Sequence, residues 1–164
     1  MKLKLRPVRR EDLELFLQWR NESPSGLRTG HRPLTSLNQE EFFKKLSFDK
    51  DMIVFTACVN EEPIGYVQLY PIDWKNRKAE VGVIMGRKHQ GQGLGEEALR
   101  LTVDYGFRML GMNKLYAEIY EYNEQSIKLF EKIGFKLEGK LREHHYWNGK
   151  FHDSLIYSIL RSEM

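Results

Sequence analysis

The run from His89 to Glu96, His-Gln-Gly-Gln-Gly-Leu-Gly-Glu, constrains this chain more than any other stretch. It follows an apolar, strand-like segment, Ala79 to Met85, and precedes a strong helical pattern. In that pattern Ala98, Leu99, Leu101, Thr102, Tyr105, Met109 and Leu110 recur at helical spacing, with Gly111 as the expected stop. Glycines let the main chain take unusual dihedrals and leave room for a ligand beside it. The first turn of the following helix offers unpaired N–H groups and the positive end of its dipole. Together they suit a pyrophosphate. The run lacks the Lys-Ser/Thr ending of a P-loop, and Gly91, Gly93 and Gly95 do not follow the Rossmann spacing.

What surrounds this run sets the fold class. Leu3 and Leu5 alternate with charged residues in a short strand closed by Pro7. Glu11 to Arg20 reads as an amphipathic helix carrying Leu13, Phe16, Leu17 and Trp19. Asn21 to Leu37 reads mainly as loop, and Asn38 as the cap of a second helix that runs through Leu46 with Phe42, Phe43 and Leu46 on its apolar side. Three strands follow as an antiparallel meander: Met52 to Val59, Ile64 to Leu69 and Ala79 to Met85. Turns at Glu61-Glu62-Pro63 and at Asp73 to Arg77 separate them. After the glycine run and its helix come a strand from Lys114 to Tyr120, a helix from Asn123 to Ile133 ended by Gly134, and two strands, Phe135 to Trp147 and Phe151 to Leu160. Asn148-Gly149 joins those two strands and is the strongest short hairpin signal a sequence carries. The expected order is β-α-α-β-β-β-α-β-α-β-β, a mixed α/β fold in one domain spanning residues 1–164. The three meander strands before the glycine run also argue against a Rossmann domain, which would place it after its first strand.

Composition excludes several function classes. The 164 residues carry a net charge of only +3, so a dedicated nucleic-acid binder is not expected. No apolar stretch approaches the ~20 residues needed to span a bilayer. The N-terminus shows no apolar leader segment. The single cysteine, Cys58, lies in an apolar strand and suits a reducing compartment as a buried, inert thiol. A cytoplasmic location is therefore expected, with no membrane partner. His144, His145 and His152 do not form a metal set by spacing, because neighbours on a strand face opposite ways. No metal is expected.

Here the motifs become specific. The pattern Gln90-x-x-Gly93-x-Gly95 between strand and helix resembles the acetyl-CoA pyrophosphate loop of the GNAT N-acetyltransferase superfamily. Asn123 through Phe135 resembles that family's second signature, the helix and turn after the fifth strand. The tail from Leu137 to Asp153 is similar to the branch holding ribosomal-protein N-terminal acetyltransferases and spermidine acetyltransferases. The opening residues Leu5-Arg6-Pro7, Arg10 to Leu13 and Trp19-Arg20-Asn21 also suit it. The resemblance implies a central, mostly antiparallel sheet of about seven strands flanked by about four helices. It implies acetyl-CoA as the acetyl donor and a primary amine as the acceptor.

Residue by residue, the resemblance implies that backbone groups of Val83, Ile84 and Met85 pair with the pantetheine arm. Backbone N–H groups of Gln90, Gly91, Gln92, Gly93, Leu94, Gly95 and Glu96 would hold the pyrophosphate. Asn123 would contact the pantetheine, would cap its helix, or both. Many family members place a proton-donating tyrosine where this chain has Phe130, which cannot donate and reads as packing. Ser126 matches a serine given that role in the ribosomal-protein branch, and its other reading is a polar residue on a helix face. The reaction needs a neutral amine, held reactants and donors for the oxyanion, for which N–H groups near Ile84 and Met85 are the natural source. Glu118, His145 and Glu80 are the three candidates to accept the amine proton, each otherwise a solvent-facing strand residue.

The acceptor is less constrained. The loop from Arg20 to Arg32 carries Arg20, Arg28, His31 and Arg32 against Glu22. That leans toward an acceptor with nearby negative charge, such as an acidic peptide N-terminus or a nucleotide-linked aminosugar. Glu40, Glu41 and Glu118 keep a polyamine open. A catalytically silent acyl-CoA-binding module and a regulatory domain for another diphosphate are the rival classes, and a homodimer is left open.

Overall fold

The computed structural model describes residues 2–23 and 33–164. Eleven elements run in the expected order: β1 (Leu3–Pro7), α1 (Leu13–Glu22), α2 (Ser36–Leu46), β2 (Ile53–Val59), β3 (Glu62–Asp73), β4 (Lys78–Met85), α3 (Leu94–Asp104), β5 (Lys114–Tyr120), α4 (Glu124–Lys132), β6 (Lys136–Trp147) and β7 (Lys150–Leu160). One seven-stranded sheet has the order β1-β2-β3-β4-β5-β7-β6. Every junction is antiparallel except β4 with β5, which is parallel.

That parallel junction is short. Lys78, Ala79 and Glu80 pair with Lys114, Leu115 and Tyr116, and the ladder then ends. β4 continues to Met85 paired only with β3, while β5 continues to Tyr120 paired with β7. The two strands therefore part beyond Glu80 and leave a wedge in the middle of the sheet.

Burial explains which helices cover which face. Side chains alternate along a strand. Val81 of β4 and Leu115, Ala117 and Ile119 of β5 enter the main core with Leu99 and Val103 of α3 and Phe130 of α4. Ile84 and Tyr66 face the other way, onto Phe16 and Trp19 of α1. Phe16 lies 4.4 Å from Tyr66, ring centroid to centroid, nearly parallel to it.

A buried ion pair ties the N-terminal strand to the first helix. The Arg6 guanidinium donates to both Asp12 oxygens at 2.7 Å. The Arg9 N–H and the Thr56 hydroxyl donate to the same carboxylate at 2.8 Å. Asp12 thus sits in a short 3-10 turn, Arg10–Asp12, and the α-helix begins two residues later than the apolar pattern suggests.

Other boundaries also move, each for a local reason. The second helix is capped by Thr35, not Asn38: Thr35 accepts the Asn38 N–H, and Asn38 Oδ1 accepts the Thr35 N–H at 3.0 Å. This is a reciprocal capping box in which Asn38 is the inner partner. The first meander turn sits on Asn60 and Glu61, both with positive φ, so Glu62 and Pro63 already belong to β3. β3 then runs past Leu69 to Asp73, through an irregularity between Leu69 and Ile72. α3 passes into a π turn, Tyr105–Met109, and the chain breaks away before Gly111 at φ 66. Asn148 and Gly149, at φ 48 and 79, make the two-residue hairpin turn expected from the dipeptide.

Candidate active site

The wedge between β4 and β5 opens into a cleft of about 660 Å³. Its walls are the end of β4, the glycine run, the start of α3 and the start of α4, with Trp19, Glu22 and Ser23 of the α1 region on the far side. Gly86 N–H donates to the Ile64 carbonyl at 2.9 Å, directly across the antiparallel ladder. Alternation then directs the main-chain groups of Ile84 and Gly82 to β3, and those of Val83 and Met85 to the wedge. Of the three residues expected to pair with a pantetheine arm, Ile84 is thus committed to Tyr66. The same holds for an oxyanion donor, since the Ile84 N–H points away and the Met85 N–H points in. The Met85 carbonyl accepts from the Gln90 side chain at 3.0 Å. That bond braces the glycine run against the strand it follows.

The glycine run lies at the other end of the cleft. Gly93 is the N-cap of α3 at φ 77 and ψ −7, left-handed backbone that favours glycine. Among the described residues a Cβ added there would meet no atom within 4 Å beyond its chain neighbours, so its immediate surroundings are open. Gln90, Gly91, Gly93, Gly95 and Glu96 line the cleft. Gln92 and Leu94 do not: the Gln92 side chain folds back onto the Lys88 carbonyl, and Leu94 packs in the cluster of Leu3, Ala57 and Val67.

Glu96 puts a carboxylate in the first turn of a helix whose N-terminus suits an anion. Its charge is already engaged: Lys132 approaches it at 2.6 Å and Arg100 at 3.1 Å. The hydrogen bond from Lys132, outweighing partial desolvation and aided by Arg100, holds the Glu96 carboxyl below the usual range. Arg87, Lys128 and Lys132 also line the cleft, so the charged side chains around the glycine run are mostly basic. These cations were not singled out from the sequence, because a surface lysine or arginine gives no local sign of what it faces.

At the start of α4, Asn123 Oδ1 accepts the Ser126 N–H at 3.2 Å as a helix cap. Asn123 and Ser126 both line the cleft. Phe130 does not; it is 4% exposed, set edge-on to Phe135 in the core.

None of the three candidate proton acceptors lines this cleft. Glu80 shares the α1-side face with Ile84 by alternation. Glu118 shares it through Tyr116, which is registered with Glu80. The two carboxylates thus bracket the point where the ladder ends. His145 stacks on Tyr120 at 3.7 Å and lies 6.2 Å from Tyr122. His152 turns to Glu121 at 3.2 Å. Trp19 and Tyr122 also line the cleft, although in the sequence Trp19 is only an apolar helix position and Tyr122 only lies between a strand and a cap. Arg28, His31 and Arg32, which gave the acceptor region its basic lean, lie outside the described residues.

Comparison with known proteins bears on this geometry. The family model described as "Acetyltransferase (GNAT) domain" matches residues 2–136. Spermidine N(1)-acetyltransferase of Escherichia coli K12 is 30% identical over 162 residues, covering 98% of this chain and 87% of that protein. An uncharacterized N-acetyltransferase, p20, of Bacillus licheniformis is 31% identical over 168 residues, covering 99% and 94%. The solved structure of Vibrio cholerae spermidine N-acetyltransferase in complex with CoA and spermine superposes with a TM-score of 0.90 at 29% identity, covering 98% of this chain and 96% of that one.

Proposed function

This chain belongs to the GNAT acetyltransferase family and is an acetyl-CoA-dependent N-acetyltransferase, and on that footing we propose that its acceptor is a primary amine carrying further positive charge, of the polyamine class. The observation that carries the acceptor class is the placement of Glu80 and Glu118 on one face of the sheet, where the β4–β5 ladder ends and the wedge begins. Glu22 adds a third carboxylate on the α1 side of the cleft. Facing carboxylates favour a cation over an acidic peptide or a nucleotide-linked sugar. The spermidine acetyltransferases among its relatives support the same reading.

The cleft fits acetyl-CoA on its own geometry. The open backbone edge of Val83 and Met85 suits the amides of the pantetheine arm, as one added strand. The N–H groups around Gly93 and the first turn of α3 suit the diphosphate, with Arg87 and Lys132 beside them. Asn123 keeps its side-chain amide donor for the arm while its oxygen caps α4.

Acetyl-CoA supplies an activated acetyl group, and the protein must deliver a neutral nitrogen to it. A lysine-like amine is deprotonated in fewer than about one molecule in a thousand at neutral pH. Glu80 and Glu118 hold the ammonium at the wedge and take a proton from it before the neutral nitrogen attacks, and the second proton, released once the C–N bond forms, leaves by the same route or through water to the thiolate. The Met85 N–H faces the place where the carbonyl oxygen takes up charge. Holding both reactants in one cleft supplies much of the remaining acceleration. The Trp19 ring closes one side, and Gly86 lets it approach: a methyl group on Gly86 would come within 2.7 Å of Trp19 Nε1.

An acetylation screen tests the acceptor class. Spermidine, spermine, aminoglycosides, aminosugar nucleotides and ribosomal-protein N-terminal peptides are each offered with acetyl-CoA, and products are read by mass spectrometry. Polyamines are expected to give the highest kcat/KM, declining as salt rises. Turnover confined to peptides or aminosugar nucleotides would overturn the acceptor assignment and leave the acetyl donor standing.

A further inference from the structure

The glycine-run end of the cleft carries an anion of its own. Glu96 is the third residue of α3, three positions after the N-cap Gly93, and it lines the cleft. Side chains on a helix tilt toward its N-terminus, so this carboxylate leans to the end that presents the unpaired N–H groups. A diphosphate seated there meets a like charge.

The fold surrounds that charge with cations. Lys132 Nζ, at the last residue of α4, lies 2.6 Å from Glu96 Oε2, and Arg100 Nη2 lies 3.1 Å from Oε1. Arg100 Nη2 also donates to the Lys132 carbonyl at 3.1 Å. The three residues form one closed network that joins the start of α3 to the end of α4. Glu96 and Lys132 line the cleft, while Arg100 braces them from outside it. The hydrogen bond from Lys132, with Arg100 assisting, holds the Glu96 carboxyl below the usual range, so it is ionised at neutral pH. A carboxylate in the first turn ordinarily stabilises its own helix. This one reaches across to a second helix, beside the place of the coenzyme's phosphates, and there it acts on the ligand as well.

We propose that Glu96 sets the affinity for coenzyme A: its carboxylate opposes the diphosphate, and Lys132 acts through Glu96 by cancelling that opposition, not as a direct phosphate ligand. Lys132 is thus a positioning residue. Its ammonium is spent on the carboxylate, and what the diphosphate meets is the sum of the two charges. The effect is smaller than that of a charge placed at Gly93 itself, because the Glu96 side chain is partly solvated, at 20% exposure.

This rests on the coenzyme lying in the cleft as described above. The test is a cycle of Glu96→Gln, Lys132→Met and the double variant. Coenzyme A affinity is read by titration calorimetry at low salt, and thermal melts confirm folding. Glu96→Gln is expected to bind about 5- to 10-fold more tightly than wild type, and Lys132→Met more weakly by a similar factor. The double variant loses both charges and is expected within about twofold of wild type. Each gap is expected to narrow as salt rises to about 0.5 M. A second readout separates this from a purely structural ion pair: kcat/KM for acetyl-CoA relative to S-acetylpantetheine, which has the thioester arm and no diphosphate. That ratio is expected to rise in Glu96→Gln and to fall in Lys132→Met. Unchanged or weaker binding in a folded Glu96→Gln protein, a double variant as weak as Lys132→Met, or a ratio that does not move would each overturn the proposal. Failure of the coenzyme placement shows separately, as unchanged coenzyme A affinity in a folded Gly93→Asp variant.

Discussion

Gly93 is where the coenzyme reading can be weighed most sharply. Its backbone is left-handed, at φ 77 and ψ −7. An ordinary residue there costs about 1–2 kcal/mol, while Asn and Asp tolerate that region better than most. Among the described residues no atom beyond its chain neighbours lies within 4 Å of a Cβ added to it. Gly93→Asn and Gly93→Asp should therefore both fold, at a cost of about 1 kcal/mol. They differ in charge and hardly in shape. A carboxylate about 5 Å from a diphosphate oxygen meets about 3 kcal/mol of repulsion per unit charge at an effective dielectric near 20, and under about 1 kcal/mol in water. The aspartate variant should thus bind coenzyme A about 5- to 150-fold more weakly than the asparagine variant. The gap should narrow as ionic strength rises from about 0.05 to 0.5 M, because the site is partly open to solvent. Titration calorimetry on both variants, with thermal melts to confirm folding, measures it. Equal affinities in the two variants, or wild-type affinity in a folded Gly93→Asp protein, would show that the diphosphate does not lie against this turn.

Two further outcomes follow from the same geometry. Ser126→Ala should lower turnover more than affinity for acetyl-CoA, measured by steady-state kinetics beside calorimetry, and unchanged turnover would remove Ser126 from the mechanism. Asp12 should make the fold sensitive to acid. Burial alone would raise its carboxyl, but hydrogen bonds from Arg6, the Arg9 N–H and Thr56 outweigh that and hold it below 3.8. A depressed folded value means the stabilisation is fully present above the unfolded pKa and is lost as pH falls through the folded one. Urea midpoints should hold steady from pH 7 down to about 5 and then drop below about 4. Asp12→Ala, which leaves the Arg6 guanidinium without its carboxylate, should cost about 3–5 kcal/mol at neutral pH and remove that contribution to the acid drop.

Much of the fold was legible residue by residue. The β5 boundaries, the Asn148-Gly149 hairpin and the glycine run before α3 each rest on chemistry confined to a few neighbouring residues. Turn dihedrals, side-chain alternation and the unpaired N–H groups of a helix start are all local. Where the reading slipped, a second local option competed with the one chosen. Thr35 and Asn38 can each cap a helix, and the reciprocal box that decides between them needs both at once. Pro63 looks like a turn residue, yet the positive-φ pair at Asn60 and Glu61 already reverses the chain. Nothing around Tyr122 in the sequence shows that it lines the cleft.

The sequence by itself determined which segments become strands and helices, that a glycine turn opens α3, and that Phe130 cannot give up a proton. Only the tertiary structure decided that β4 and β5 part after Glu80, that Ile84 spends its backbone on β3 while Val83 and Met85 keep theirs for the wedge, and that Lys132 engages the charge of Glu96. The physical reason is range. A turn or a cap is settled by atoms a few bonds apart. Ladder parity and charge pairing are settled by segments that folding brings together from 20 or more residues away, as Ile64 meets Gly86 and Glu96 meets Lys132.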